Sequence, residues 1–223
     1  MQFAMHESDT SDGRLFDVGL FTQRVVPLAG ARADADADEI LYVLEGSGHA
    51  ELGGETHPLQ PGTSVFVSRG SAWNAEGEGR AVSVLVHDPP PASATHAVLD
   101  LTVVEKDAAT AGRQFVLGAR PDTGCGSATQ FIGLVPPGRA PDHFHTYDEV
   151  IYILEGDGAL HIDGESAPLR PGSCVHLPAR VVHCLENSGD TELRLLGVFR
   201  PAGSPAEAYY PDGTLAVPEM GDR

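Results

Sequence analysis

Asp148-Glu149-Val150-Ile151-Tyr152-Ile153-Leu154-Glu155-Gly156 has an earlier counterpart in the chain, Asp38-Glu39-Ile40-Leu41-Tyr42-Val43-Leu44-Glu45-Gly46, displaced by 110 positions. The displacement holds without a gap as far as Pro168-Leu169-Arg170-Pro171-Gly172, which falls on Pro58-Leu59-Gln60-Pro61-Gly62, and Gly189 falls on Gly79. A match of this length implies two copies of one domain. The runs Leu41–Leu44, Val65–Val67, Val82–Val86, Phe131–Val135, Val150–Leu154 and Leu193–Phe199 are short, apolar and bounded by turn residues. They read as strands, so the fold class is all-β. Gly53-Gly54 and Asp163-Gly164 stand at equivalent places and read as hairpin turns. Helix is expected only as short pieces near Ala108–Gly112 and Ser204–Tyr209.

The second copy carries the chemistry. His143 and His145 alternate, which on a strand puts both on one face. Glu149 follows, and His183 lies further on. Three imidazoles and a carboxylate suit one divalent first-row ion, such as iron, manganese, nickel or zinc. An octahedral ion held by four protein ligands keeps two positions open for a small molecule.

These residues resemble the two motifs of the cupin superfamily. The first motif is matched by Gly138, His143, His145, Glu149 and Gly156, and the second by Gly172, Pro178, His183 and Asn187. The chain departs from the pattern in the Gly138–His143 spacing, one residue short, and in Arg180, where the family usually has glycine. The resemblance implies two tandem jelly-roll β-barrels, a bicupin. It also implies one divalent transition metal per chain, held by His143, His145, Glu149 and His183.

On the same alignment the first copy has Ala33, Ala35 and Trp73 at the three histidine positions, and keeps only Glu39. A one-residue slip would turn Asp34, Asp36 and Asp38 inward, but the intact Glu39 register opposes it. The expected division is therefore residues 1–92, a barrel that has lost its metal ligands, and 93–223, a barrel with the metal site and a C-terminal strap. Asp88-Pro89-Pro90-Pro91-Ala92-Ser93-Ala94 is the stiff linker. Residues 98–105 and 113–118 read as strands without a counterpart in the first copy, extending the second barrel or crossing to the first. The tail from Arg200 to Tyr210 is rich in turns and aromatics. It resembles a segment that some cupin oxygenases fold near the barrel mouth, the alternative being a strap packed outside.

The formal charge of −18 opposes nucleic-acid binding and anionic membranes. No apolar stretch is long enough to span a bilayer, and residues 1–14 lack the pattern of a secretory signal. The expected place is the cytoplasm, the expected partner a small-molecule substrate, and the expected state a monomer or homo-oligomer. Three cysteines do not make a disulfide framework. A hairpin centred on Ala179 would set Cys174 opposite Cys184, both facing away from the metal, as two buried thiols or as a cross-strand pair. The same hairpin turns His176 away from the site.

Substrate-binding candidates are Tyr147, Arg180, His161 and Gln130. Tyr152 is matched by Tyr42 and reads as packing, whereas Tyr147 has Ala37 opposite. Arg180, three residues before a ligand, could clamp a carboxylate through two hydrogen bonds. The leading function is a metal-dependent enzyme of dioxygenase type, with Glu149 as ligand and proton acceptor. A non-redox isomerase, decarboxylase or aminohydrolase uses the same ligand set. A non-catalytic binding barrel is the third reading.

Overall fold

The computed structural model describes residues 2–216. Two barrels pack against each other. In the first, Arg14–Asp17, Phe21–Pro27, Trp73–His87, Ala37–Leu52, Thr63–Val67 and His96–Asp100 are hydrogen-bonded in that order. Gly30–Arg32 joins Trp73–His87, and Glu55–Leu59 joins Ala37–Leu52. The second barrel has two sheets. One runs Ala4–His6, Ser173–Leu177, Asp148–Glu155, Leu193–Arg200, Thr129–Val135, Gln114–Leu117, Asp107–Ala108. The other runs Gly138–Arg139, His183–Asn187, Gly158–Ile162, Glu165–Leu169. All of these pairings are antiparallel, and no helix among the described residues is long and apolar enough to cross a membrane.

Strand alternation divides the repeated stretch between two cores. Ile40, Tyr42, Val150 and Tyr152 point into a core between the barrels, with Phe21, Phe66, Val84 and Val198. Leu41 and Val43 point into the first barrel, and Ile151 and Ile153 into the second. Both faces of these strands are buried, so the sequence shows a continuous apolar run in place of alternation. Truncating a buried leucine or isoleucine here is expected to cost about 2–5 kcal/mol. Tyr152 belongs to the shared core, and its hydroxyl donates to Glu7 Oε2 at 2.9 Å.

The barrels exchange their first strands. Ala4–His6 pairs with Ser173–Leu177 of the second half, and His96–Asp100 pairs with Thr63–Val67 of the first. The two junctions match bond for bond. Glu7 N donates to Gly172 O at 2.9 Å, and Leu101 N to Gly62 O at 3.0 Å. The strands near residues 98–105 and 113–118 therefore do have counterparts, at Ala4–His6 and Arg14–Asp17. The longer connections 101–113 and 118–128 shift the displacement and hide them from a search at constant spacing.

Three other expectations need correction. The short helical turns are Glu7–Asp9 and Pro121–Thr123. Ala108–Gly112 is instead a strand end and turn, and Ser204–Tyr209 a turn and strand. Pro178–Arg180 does not close a hairpin, because the strands on either side belong to different sheets of the second barrel. Cys174 consequently lies across from Met5 and Tyr152, and Cys184 from His161. All three cysteines are buried and free. Hairpins do form at Gly53-Gly54 and Asp163-Gly164, with positive φ at all four residues.

Candidate metal centre

His143, His145 and His183 converge in the second barrel, each offering a ligand atom within 4.8 Å of the others. The HxH pair lies in a loop and not on a regular strand. It is held by a local bridge in which His143 N donates to His183 O at 3.0 Å and His183 N to His143 O at 2.8 Å. The carbonyl of His145 is fixed by Arg180 N at 2.7 Å.

The ring tautomers follow from the partners. His143 Nδ1 donates to Pro141 O at 2.8 Å, His145 Nδ1 to Glu207 O at 2.8 Å and His183 Nδ1 to Val181 O at 2.9 Å. A carbonyl only accepts, so each Nδ1 carries the proton and each Nε2 keeps its lone pair. Burial lowers the pKa of His145 well below its usual value, that of His143 to about 3 and that of His183 to about 4. The three rings are thus neutral and aimed, as ligating imidazoles need to be.

Glu149 lines the same cavity and is almost fully buried, with no hydrogen bond from any described residue. Burial raises its pKa to about 8, and Arg113 offsets part of the rise. Its partner across the ladder is Phe199, and two residues along that strand, diagonally across from Glu149, stands Gly197. A Cβ there would run into the Phe131 ring and lie 2.8 Å from Glu149 Oε1, so the position keeps both groups in place by having no side chain. The histidines alone bring ligand atoms within 4.8 Å of one another; Glu149 stands outside that group, as a buried carboxylate without a partner in the same cavity, and these donor types suit a divalent cation.

The cavity, about 60 Å³, has mainly apolar walls, from Phe115, Phe131, Val135, Leu177, Leu185 and Leu195. Tyr147 also lines it, sandwiched between His145 (ring centroids 4.6 Å apart) and Phe199 (4.0 Å). The C-terminal strap covers one side. Phe144 N donates to Tyr209 O and Tyr209 N to Phe144 O, both at 2.9 Å, and Pro205 lines the cavity.

The other sequence candidates are not brought to this cavity. Arg180 is exposed in a turn at φ 65° and contributes only its backbone. His161 pairs with Glu186 at 2.7 Å on the outer face of the smaller sheet. Gln130 is buried between the barrels, where its carbonyl accepts from Ser64 Oγ. His176 packs beside Phe16 in the same interior, away from the histidine cluster, as expected. Asn187 is structural: its Nδ2 donates to Val135 O at 2.8 Å and Thr191 O at 2.7 Å.

Sequence reasoning missed Arg113, which lines the cavity from the turn between Asp107–Ala108 and Gln114–Leu117. It lies outside both motifs, so nothing in the pattern marked it. It also missed the Pro141, Val181 and Glu207 carbonyls, since backbone acceptors leave no trace in residue type.

The first barrel shows how the equivalent site closes. Gly70 N donates to Asp34 O at 2.6 Å, matching the Arg180–His145 bond, and Arg32 pairs with Trp73 where His143 pairs with His183. The loop has therefore slipped by one residue, and Arg32 and Asp34, not Ala33 and Ala35, stand at the HxH positions. Asp34 does not turn inward, because its carboxylate accepts from Asp36 N and Ala37 N. Glu39 is fully partnered, by Ser83 Oγ at 2.6 Å, Trp73 Nε1 at 3.3 Å and Arg32 Nη1 at 3.5 Å. The Arg32 guanidinium also lies 5.5 Å from the Trp73 ring centroid.

Fold and cluster together define a double-barrel protein with one candidate metal centre. A family model described as "Cupin domain" matches residues 26–87 and again 131–199. The chain belongs to the cupin family, with a bicupin arrangement. It is 34% identical over 80 residues to the polyketide synthase CurC of Streptomyces cyaneus, covering 34% of this chain and 52% of CurC. It is 33% identical over 81 residues to quercetin 2,3-dioxygenase of Bacillus subtilis, covering 32% of this chain and 24% of that protein. The chain thus spans about half, or less, of the length of these curated relatives. A solved structure concerning the Mn(II) centres of Bacillus subtilis oxalate decarboxylase superposes with a TM-score of 0.67 at 14% identity, covering 91% of this chain and 78% of that one. At that identity the likeness shows the fold alone.

Proposed function

We propose that the chain is a metal-dependent cupin enzyme of dioxygenase type, acting on a small organic molecule in the cavity of the 93–223 half. The 1–92 half is assigned a structural role. One observation carries the reading: three free imidazole Nε2 atoms and a partnerless buried carboxylate share one apolar cavity. His143, His145, Glu149 and His183 would hold the ion, which when bound would supply open coordination positions and, if redox-active, an electron relay. Pro141, Val181 and Glu207 keep the rings oriented through their Nδ1–H groups. The apolar walls exclude water, and Tyr147 holds His145 by stacking. Glu149 can hold a proton at its Oε atoms in the absence of the ion and give it up to bind one.

The first test is elemental analysis of untagged protein purified without added metal. One ion per chain is expected, and iron would favour the oxygenase. Failure to hold or take up any divalent ion would sink the enzyme reading. The buried, protonatable Glu149 also favours a second reading, a non-redox enzyme that moves a proton. Turnover that continues without dioxygen would select it.

A further inference from the structure

Arg113 is a cation in an apolar cavity with no carboxylate against it. The turn Thr110-Ala111-Gly112-Arg113 has positive φ at Ala111 and Gly112, 57° and 69°, and closes with Ala109 N donating to Arg113 O at 2.8 Å. Its geometry pins the base of the guanidinium: Nε donates to Thr110 O at 2.9 Å, and one Nη2 proton goes to Thr110 Oγ1. Nη1 has no hydrogen-bond partner, and no ion pair reaches this arginine among the described residues. Its charge bears on all three histidines and on Glu149, so the guanidinium belongs to the same cavity as the cluster.

Charge arithmetic gives the cavity a sign. Three neutral imidazoles and one carboxylate leave a divalent ion with a net positive charge, and Arg113 adds another. The protein as a whole carries −18 and repels anions, so an anionic ligand needs a local cation to hold it. Among the other half-buried arginines, Arg32 pairs with Glu39 at 3.5 Å and Arg194 with Glu155 at 2.9 Å, while Arg24 bonds to the Ser83 hydroxyl and Arg200 to the His87 and Asp88 carbonyls. Arg113 has an open edge facing this cavity.

We propose that Arg113 is the anion anchor of this site. It takes the carboxylate of a small organic acid whose apolar body lies against Phe115, Val135, Leu185 and Leu195. The guanidinium edge left free by Thr110 meets a carboxylate with charge-assisted hydrogen bonds. This inference rests on the metal-site reading above and adds to it the class of substrate.

The test uses the full chain and a panel of straight-chain and aromatic monocarboxylates, from acetate to phenylacetate, each beside its amide. Binding is followed by titration calorimetry on metal-free protein and on protein loaded with Mn²⁺, with metal content measured in parallel. At least one acid of the panel is expected to bind about tenfold or more tighter than its amide. Arg113→Gln should abolish that preference without changing metal stoichiometry, and Arg113→Lys should keep part of it. Circular dichroism checks that both variants fold, and the wild-type comparison of acid with amide needs no variant. If no acid is preferred over its amide, or if Arg113→Gln keeps the preference, the anchor assignment is overturned. If neither Mn²⁺ nor any other divalent ion binds, the metal-site reading fails instead, and the acid preference of the metal-free protein still decides the role of Arg113.

Discussion

The two barrels keep the same glutamate on the same strand and treat it in opposite ways. Glu39 accepts from a serine, an indole and a guanidinium, so its charge is answered by the protein. Glu149 has Gly197 diagonally across the ladder where Glu39 has Ser83, and it shares a cavity with three imidazoles whose lone pairs are open. The first site is closed by its own arginine; the second is built from groups that lack partners. The contrast teaches that the two sites differ in more than their histidines. In the first, Trp73 and Arg32 both reach the carboxylate, and Arg32 answers its charge.

The comparison breaks most directly if one residue converts the second site into the first. His183→Trp is expected to remove all metal from the purified protein, read by elemental analysis. Retention of one ion per chain would mean that His183 is not a ligand. Next in size is the strap. Ending the chain after Gly203 removes the Glu207 carbonyl that fixes His145, and metal affinity should fall about 10–100-fold. Unchanged affinity in a competitive chelator titration would show that the strap only covers the site.

In the first barrel the effects should appear in stability and leave metal content alone. Arg32→Met leaves Glu39 without its counter-charge and is expected to cost about 3 kcal/mol in urea unfolding. Ser83→Ala removes one donor from the same carboxylate, for about 1–2 kcal/mol. If either change alters metal binding, the two sites are not separate.

The smallest effect is a single proton. Burial raises the folded pKa of Glu149 to about 8 from its ordinary 4.5, so the metal-free protein holds that proton at neutral pH. Its contribution to stability is full below 4.5 and is lost as pH rises toward 8. His143 and His183 act in the opposite sense, with folded values of about 3 and about 4 against 6.5 unfolded. Their contribution is present above 6.5 and is lost as pH falls toward those values, because the unfolded chain takes up the protons. The histidines outnumber the single glutamate, so the melting temperature of metal-free protein should rise to a maximum near pH 6.5 and fall from there toward pH 8. Metal binding near pH 7 should release one proton, detectable by calorimetry in buffers of different ionisation enthalpy, and none in Glu149→Gln.

The repeated nine residues, read alone, determined the strand class and the doubling, because a strand buried on both faces writes itself as an apolar run. The spacing of His143, His145, Glu149 and His183 determined a candidate ligand set, because side-chain type is what binds a metal. Other features depend on who lies across the ladder, which a linear pattern does not carry. The exchange of Ala4–His6 and His96–Asp100 was hidden by the longer connections at 101–113 and 118–128. The one-residue slip at Arg32 and Asp34 was masked because alanines and aspartates alternate there. The hairpin drawn through Ala179 failed because the turn passes between two sheets, so Cys174 and Cys184 share no ladder. Arg180, His161 and Gln130 carry suitable side chains, but the fold turns them to solvent, to the outer face and to the seam between barrels. Sequence supplied the ligand types. Only the tertiary structure decided which carboxylate was left without a partner and which arginine faced the cavity, because a missing partner is a property of the space around a residue and not of the residue itself.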